Sequence, residues 1–366
     1  MPPKKKTNRP IAEIRRDIST VDKKIVKLIS DRTELTKLLY EKTDGAEAEN
    51  KTAGWIPGPE ELKPDEVGVT QLMIEIAAYC QSKNTTRKIA YLGPKFSYSY
   101  LAAKKKFGES NHLIPLGTIP AIFDSVINGE SKFGIVPLEN STDGRIADSL
   151  TMFSKTDVAI FGEVHLPVNH CLVGQGQLAD VREIRSKAQA LSQCRQWIAK
   201  SFPIEVETVP TKSSTEAAEY VARKGKQSTA AIASREAAVA LGLNIIAEGI
   251  EDQKGNLTRF AIIVDPKSNS ESLPKKTGHD KTSLMFEVPH QPGALADVMN
   301  VFKRSKLNLT WIESFPKPDV FSEYNFFVEL QGHRDEVRLR NAFNQLKKKT
   351  SSLSVLGSYP EFTGND

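Results

Sequence analysis

The run FGIVPLENSTDGRIADSL, residues 133–150, decides how this chain should fold. Its first half, FGIVPL, is a short continuous apolar stretch of the kind buried inside a sheet, and the chain turns polar at Glu139, Asn140, Ser141 and Thr142. A strand that stops at a polar loop is the unit of an open α/β sheet, and such sheets bind ligands where strands give way to loops. Taken alone, the polar stretch also reads as a turn with helix-capping residues.

The same grammar repeats on both sides. Upstream, IAYLG (residues 89–93) ends in a Gly-Pro turn and runs through a serine-rich stretch containing Ser97 and Ser99 into the helical pattern LAAKKKF. Downstream, VAIFGEVHL, HCLVG, AAIAS and RFAIIV alternate with the helical patterns AQALSQCRQWIAK and STEAAEYVARK. The alternation predicts mostly parallel sheets covered by helices. Two more polar clusters sit at element ends. Ser213, Ser214, Thr215 and Glu216 open a helix with capping-box spacing, and the free amides there suit either capping or a bound carboxylate. In GNLTRFAIIV, Asn256, Thr258 and Arg259 stand immediately before an apolar strand, where a plain surface loop is the simpler reading.

At its start the chain is helical instead. From Ile11 to Lys42 apolar residues recur every three or four positions, at Ile11, Ile14, Ile18, Val21, Ile25, Leu28, Leu35 and Leu39, which predicts one long helix with a seam. Arg32 and Lys42 fall on that seam, where a cation either snorkels to solvent or serves a pocket for a dicarboxylate. A Gly/Pro-rich stretch around Trp55 separates it from a second helical pattern through Leu72, Ile76 and Tyr79. At the other end, residues 267–281 suit a linker, and SLMFEV, NLTWIES, YNFFVEL and a final strand near 353–356 are interleaved with two helical patterns. That order suggests a ferredoxin-like α+β unit. The expected division is residues 1–86, 87–267 and 281–366.

With 366 residues, 39% of them hydrophobic and 26% charged, the chain has the make-up of a folded multidomain protein. Its net charge of +5 owes much to Lys4, Lys5, Lys6 and Arg9, a tail-like cluster and not a nucleic-acid surface. No apolar run suits a membrane span or a secretory signal, so a cytoplasmic protein is expected. Cys80, Cys171 and Cys194 are scattered and odd in number, against a disulfide framework or a zinc site.

Seven segments in order, YLGPKFSYSY, VPLENSTDGRI, LPVNHCLVG, KAQALSQCRQW, SSTEAA, AAIAS and LGLNIIAEGIEDQKGNLTRFAII, resemble the prephenate dehydratase family over most of residues 88–265. The resemblance implies two α/β lobes, built like a type 2 periplasmic binding protein, with prephenate in the cleft between them and no metal or organic cofactor. It places Thr258 at the leaving hydroxyl with Arg259 assisting or neutralising a carboxylate, and gives substrate contacts to Asn140, Ser141, Ser214, Thr215 and, more weakly, Ser97 and His170. Where the family often reads Ser-His-Pro-Gln-Ala, this chain has Ser186, Lys187, Ala188, Gln189 and Ala190.

The first segment resembles the all-helical chorismate mutases through IRRDISTVDKKIVKLISDR, which carries Arg15, Asp22 and Arg32. The family's next Lys aligns with Thr43, leaving Lys42 one position early, and AGWIPGPEELKP replaces the usual Asp-Arg-Glu-rich second helix. The segment is thus either a working mutase or a dimerising arm. The last segment, HQPGALADVMNVFKRSKLNLTWIESFP with EYNFFVELQGH, resembles an ACT domain. That implies feedback by L-phenylalanine bound near Gly293, Ala294, Leu295, Asn308, Glu313 and Ser314 between two such domains, although Phe315 stands where the family has Arg. A homodimer or homotetramer is implied. A dehydratase preferring arogenate, and a non-catalytic aromatic amino-acid sensor, are the competing readings.

Overall fold

A computed structural model describes residues 10–42, 67–82, 88–109, 111–142, 144–202, 206–267, 273–317 and 323–362. The basic start, Trp55, Thr43 and the side chain of Lys42 lie outside the described residues. The chain divides into two compact units, residues 1–86 with 108–111, and residues 87–107 with 112–366.

In the first unit, helices α1 (Ile11–Lys42) and α2 (Val67–Ser82) pack on each other. The seam of α1 is largely solvent-exposed in a single chain, with Ile11 71% and Leu28 66% accessible. Arg15 and Asp22 are exposed on that helix.

The second unit holds three sheets. Its first strands and helices are β1 (Lys88–Leu92), α3 (Tyr98–Phe107), β2 (His112–Leu116), α4 (Ile119–Ile127), β3 (Phe133–Asn140), β4 (Gly144–Arg145), α5 (Ala147–Lys155) and β5 (Ala159–Pro167). There follow β6 (Cys171–Gly174), β7 (Glu183–Lys187), α6 (Ala188–Gln193), α7 (Arg195–Ser201), β8 (Glu207–Thr211), α8 (Ser214–Lys224), β9 (Thr229–Ala233), α9 (Arg235–Leu241), β10 (Asn244–Glu248) and β11 (Leu257–Val264). The closing elements are β12 (Asp280–Glu287), α10 (Ala294–Arg304), β13 (Leu309–Pro316), β14 (Tyr324–Gln331), α11 (Val337–Leu346) and β15 (Ser352–Pro360).

The first sheet runs β2-β1-β3-β11-β5 with β4 on β3, and the second runs β10-β6-β9-β7-β8. The sheets are mixed and not mostly parallel: β1, β2 and β3 are parallel, but β11 returns from the second sheet to lie antiparallel between β3 and β5. In the second sheet β6 is likewise antiparallel to both its neighbours. The pattern AQALSQCRQWIAK is two short helices, broken at Cys194, whose φ −114° and ψ 11° leave the helical region.

The third sheet is antiparallel in the order β13-β14-β12-β15, and its elements follow the sequence β-α-β-β-α-β. One face is covered by α10 and α11 through Val298, Phe302, Leu339 and Leu346. The other face packs on the first sheet, so that Met285, Phe315, Phe327 and Tyr359 share one core with Val136, Leu138, Ile160 and Ala261. Burying a side chain such as Phe327 contributes about 2–3 kcal/mol. A Cβ at Gly357 would lie 2.1 Å from the Ile160 carbonyl oxygen, so glycine is what lets β15 approach β5 so closely. Residue Lys281, expected at the end of a linker, lies inside β12 and is buried.

Candidate functional site

The VPLENST stretch meets GNLTRF where β3 and β11 lie side by side, with Asn140 opposite Thr258. Along β11 alternate residues face opposite ways: Phe260 and Ile262 enter one core, Ala261 and Ile263 the core shared with the third sheet. Thr258 therefore belongs to the first face and Arg259 to the second. On β3, Val136 and Leu138 occupy the second face, which by simple alternation would also be the face of Asn140. A register shift opposite Arg259 and Phe260 changes the phase and brings Asn140 round to Thr258. The two side chains touch: Asn140 Nδ2 donates to Thr258 Oγ1 at 2.8 Å, and both residues are buried. The amide orientation is set by its other end, because Asn140 Oδ1 accepts the Thr142 backbone N–H at 3.0 Å.

Ser141 stitches the two loops together. Its hydroxyl donates to Asn256 Oδ1 at 3.3 Å and accepts the Leu257 N–H at 2.9 Å. Ser97 caps α3, donating to the Leu92 carbonyl at 2.8 Å while accepting from the Tyr100 N–H at 3.3 Å. In the second sheet, Ser213 caps α8 by accepting the Glu216 N–H at 3.0 Å, and Glu216 Oε2 accepts the Lys212 N–H at 3.0 Å. The next residue, Ser214, has its hydroxyl 3.0 Å from that of buried Ser186, which itself donates to the Ile232 carbonyl at 2.7 Å, and Thr215 is buried behind it. Ser186 belongs to the stretch that departs from the family pattern, and its hydroxyl is the signal that sequence reasoning passed over.

His170 is enclosed. Its Nε2 lies 2.9 Å from Gln193 Oε1, its Nδ1 3.4 Å from the Tyr98 hydroxyl, and its backbone N–H donates to Glu251 at 2.9 Å. Burial pushes the imidazole pKa below its ordinary value, outweighing Gln193 and Glu251, so the ring is neutral near pH 7. This is the setting of a structural histidine that joins α3 to the second lobe.

Arg259 does not join Thr258. Its guanidinium lies 2.5 Å from Glu329, 3.3 Å from Glu139 and 3.6 Å from Glu163, and stacks 4.4 Å from the Trp311 ring centroid. Lys281 completes the cluster at 2.8 Å from Glu163 and 3.3 Å from Glu329. Burial alone would raise the Glu163 carboxyl, but the His165 ring 3.3 Å away and the charges of Lys281 and Arg259 overcome it and hold the pKa down at about 2. The guanidinium of Arg259 thus meets three carboxylates on the face of the sheet opposite Thr258.

Of the residues expected to bind phenylalanine, Gly293, Ala294 and Leu295 line a cavity of about 330 Å³ together with Glu323, Tyr324 and Phe326. Gly293, at φ 83°, adopts the left-handed turn that starts α10. The other three do not line it. Asn308 donates to Gln331 Oε1 at 3.0 Å, while Glu313 and the Ser314 carbonyl both bond Arg145. In the helical unit, Arg32 is half-buried, and its Nη1 is buried with no hydrogen-bond partner among the described residues.

Among the described residues no cluster of His, Cys, Asp and Glu is arranged to hold a metal ion, and no helix is long and apolar enough to cross a membrane. Cys80, Cys171 and Cys194 are buried thiols.

The family model for prephenate dehydratase matches residues 89–268. The chain is 35% identical to the bifunctional chorismate mutase/prephenate dehydratase of Aquifex aeolicus, over 96% of this chain and 98% of that one. Among solved structures it is similar to the prephenate dehydratase of Arthrobacter aurescens in complex with L-Phe, at 28% identity and a TM-score of 0.69, covering 75% of this chain and 90% of that one. It is also similar to GqqA, described as a novel type of quorum quenching acylase, at 29% identity and a TM-score of 0.69, covering 76% of this chain and 100% of that one. With likeness over nearly its whole length and the motif residues meeting at β3 and β11, this chain belongs to the bifunctional chorismate mutase/prephenate dehydratase family.

Proposed function

We propose that this chain converts prephenate to phenylpyruvate with Thr258 as the residue that helps the ring hydroxyl depart. As the bond to the ring carboxylate breaks, its electron pair enters the ring, the carbon–oxygen bond breaks, and the hydroxyl leaves as water once protonated. Aromatisation drives the step, so the protein mainly has to hold two carboxylates and stabilise the departing oxygen. The observation that carries the reading is the Asn140–Thr258 hydrogen bond. Because the Asn140 amide donates to Oγ1, the hydroxyl proton of Thr258 is left to be donated, and the incoming N–H polarises it. The backbone N–H groups at the start of α8, by Ser214 and Thr215 in the second lobe, are neutral donors suited to a carboxylate, while Ser141 fixes the facing loop. Arg259, Ser97 and His170 act as structural supports of these elements.

The test is a double-mutant cycle on phenylpyruvate formation. If Asn140 and Thr258 work as one unit, Asn140→Ala combined with Thr258→Ala is no slower than Thr258→Ala alone. Fully multiplicative losses would separate the two residues and remove the pair from the mechanism.

The third sheet with its two helices is the phenylalanine sensor, an ACT-type domain. Its support is the β-α-β-β-α-β order, the cavity at Gly293–Leu295, whose size is at the small-ligand end of binding sites, and the L-Phe complex of the Arthrobacter relative. The exposed seam of α1 is covered by a second copy of the chain, since a long apolar stripe is not left in water. In that setting Arg32, with its uncommitted Nη1, is the cation that would hold chorismate, and α1 is an arm for both assembly and mutase chemistry. Sedimentation of Ile18→Glu, expected to yield the smaller species, tests the pairing.

A further inference from the structure

We infer that Arg145 is a positioning residue through which the third sheet controls the loop that carries Asn140 and Ser141. The inference rests on the readings that this loop binds prephenate and that the third sheet senses phenylalanine.

Arg145 belongs to the two-residue strand β4, where it pairs with Glu139 while Gly144 pairs with Asn140. Gly144, at φ 81°, makes the sharp turn that folds the loop back on β3. The hairpin is so short that a shift of Arg145 is felt at Asn140, its cross-strand neighbour but one. The far end of Arg145 is tied down: Nη1 donates to Glu313 Oε2 at 2.9 Å and to the Ser314 carbonyl at 2.6 Å. Both acceptors lie on β13, the edge strand of its sheet, which is hydrogen-bonded to β14 alone within that sheet.

Within the ESFP stretch, Ser314, Phe315 and Pro316 bring no charge to balance Glu313, and Phe315 is buried in the core shared with the first sheet. The countercharge of Glu313 comes from the dehydratase loop. The strength of this link suits a switch. The Arg145 and Glu313 side chains are 37% and 27% exposed, so the pair is solvent-screened and exchangeable, unlike the enclosed Arg259–Glu329 pair at 9% and 1%. A shift of β13 on effector binding draws Glu313 and the Ser314 carbonyl off Arg145, and the loop loses the anchor that holds Asn140 against Thr258 and Ser141 against Asn256. The prephenate loop is held only while Arg145 keeps both acceptors on β13.

The test uses the full-length enzyme, prephenate as substrate, phenylalanine as effector, and the variants Arg145→Ala and Arg145→Lys. The expected result is that Arg145→Ala raises KM for prephenate about fivefold or more, a coupling of ordinary size, and lowers kcat with it as the Asn140–Thr258 contact loosens. Calorimetry should show that phenylalanine still binds this variant, yet it no longer raises KM further. Arg145→Lys, which keeps a cation within reach, should retain inhibition. Unchanged inhibition of Arg145→Ala at saturating phenylalanine would overturn the proposal. So would joint loss of binding and inhibition, which would make Arg145 part of the effector site and not a transmitter. Failure of the unaltered chain to bind phenylalanine would remove the sensing reading and this proposal together, a result distinguishable from both.

Discussion

On one face of β11, Thr258 meets the amide of Asn140 in a neutral pair that keeps a proton to give; on the other, Arg259 is enclosed by Glu329, Glu163 and Glu139 with Lys281 beside them. The residues are adjacent in sequence and their chemistry is opposite. The neutral face can accept a doubly anionic substrate without first breaking an internal ion pair. The ionic face pairs two cations with three carboxylates and spends them on joining two sheets. Removing one member of such a cluster strands the others, which is why its cost is structural, whereas on the proposed mechanism a loss on the neutral face is felt in the rate.

That contrast can be broken by measurement. The largest effect belongs to the ionic face: Arg259→Ala should lower unfolding free energy by about 3–5 kcal/mol in denaturant titration, since buried carboxylates lose their cation. A variant as stable as the unaltered chain would mean that the cluster is solvated. Next is Glu163, whose pKa of about 2 lies below the ordinary carboxylate value of 4.5. A depressed carboxyl stabilises the fold above its unfolded pKa and loses that contribution as pH falls towards its folded one. The stability gap between the unaltered chain and Glu163→Gln should therefore be about 3 kcal/mol wider at pH 6 than at pH 2 and close between pH 4.5 and pH 2. A gap independent of pH would count against the ion cluster. On the neutral face, Thr258→Ala should cut turnover by ~10²-fold, close to 3 kcal/mol of barrier, with the melting temperature nearly unmoved. A melting shift as large as that of Arg259→Ala would erase the distinction between the faces. The smallest effect is expected at the cap of α8, where Ser213→Ala should cost about 1 kcal/mol of stability by unfolding titration.

Much of this architecture can be read from residue types. Runs such as FGIVPL and RFAIIV became β3 and β11 because strands buried on both faces must be apolar throughout. The strands β2, β7, β8 and β10 are less marked: EIRSK and ETVPT carry few apolar side chains, while HLIPL and NIIAE are apolar but short and largely half-exposed. The antiparallel return of β11 was hidden as well, because a buried apolar strand looks the same in either direction.

The sequence by itself determined which polar residues stand at element ends, Asn140, Ser141, Ser214 and Thr258, the places where open sheets bind ligands. Only the tertiary structure decided which of them meet. The register shift that turns Asn140 towards Thr258, the strand alternation that turns Arg259 away, and the burial of Lys281 within an ion cluster all depend on contacts more than a hundred residues apart or between separate sheets. Side-chain type is a local property, whereas the face it occupies and the charge it meets follow from pairing of distant strands, which no short window of sequence contains.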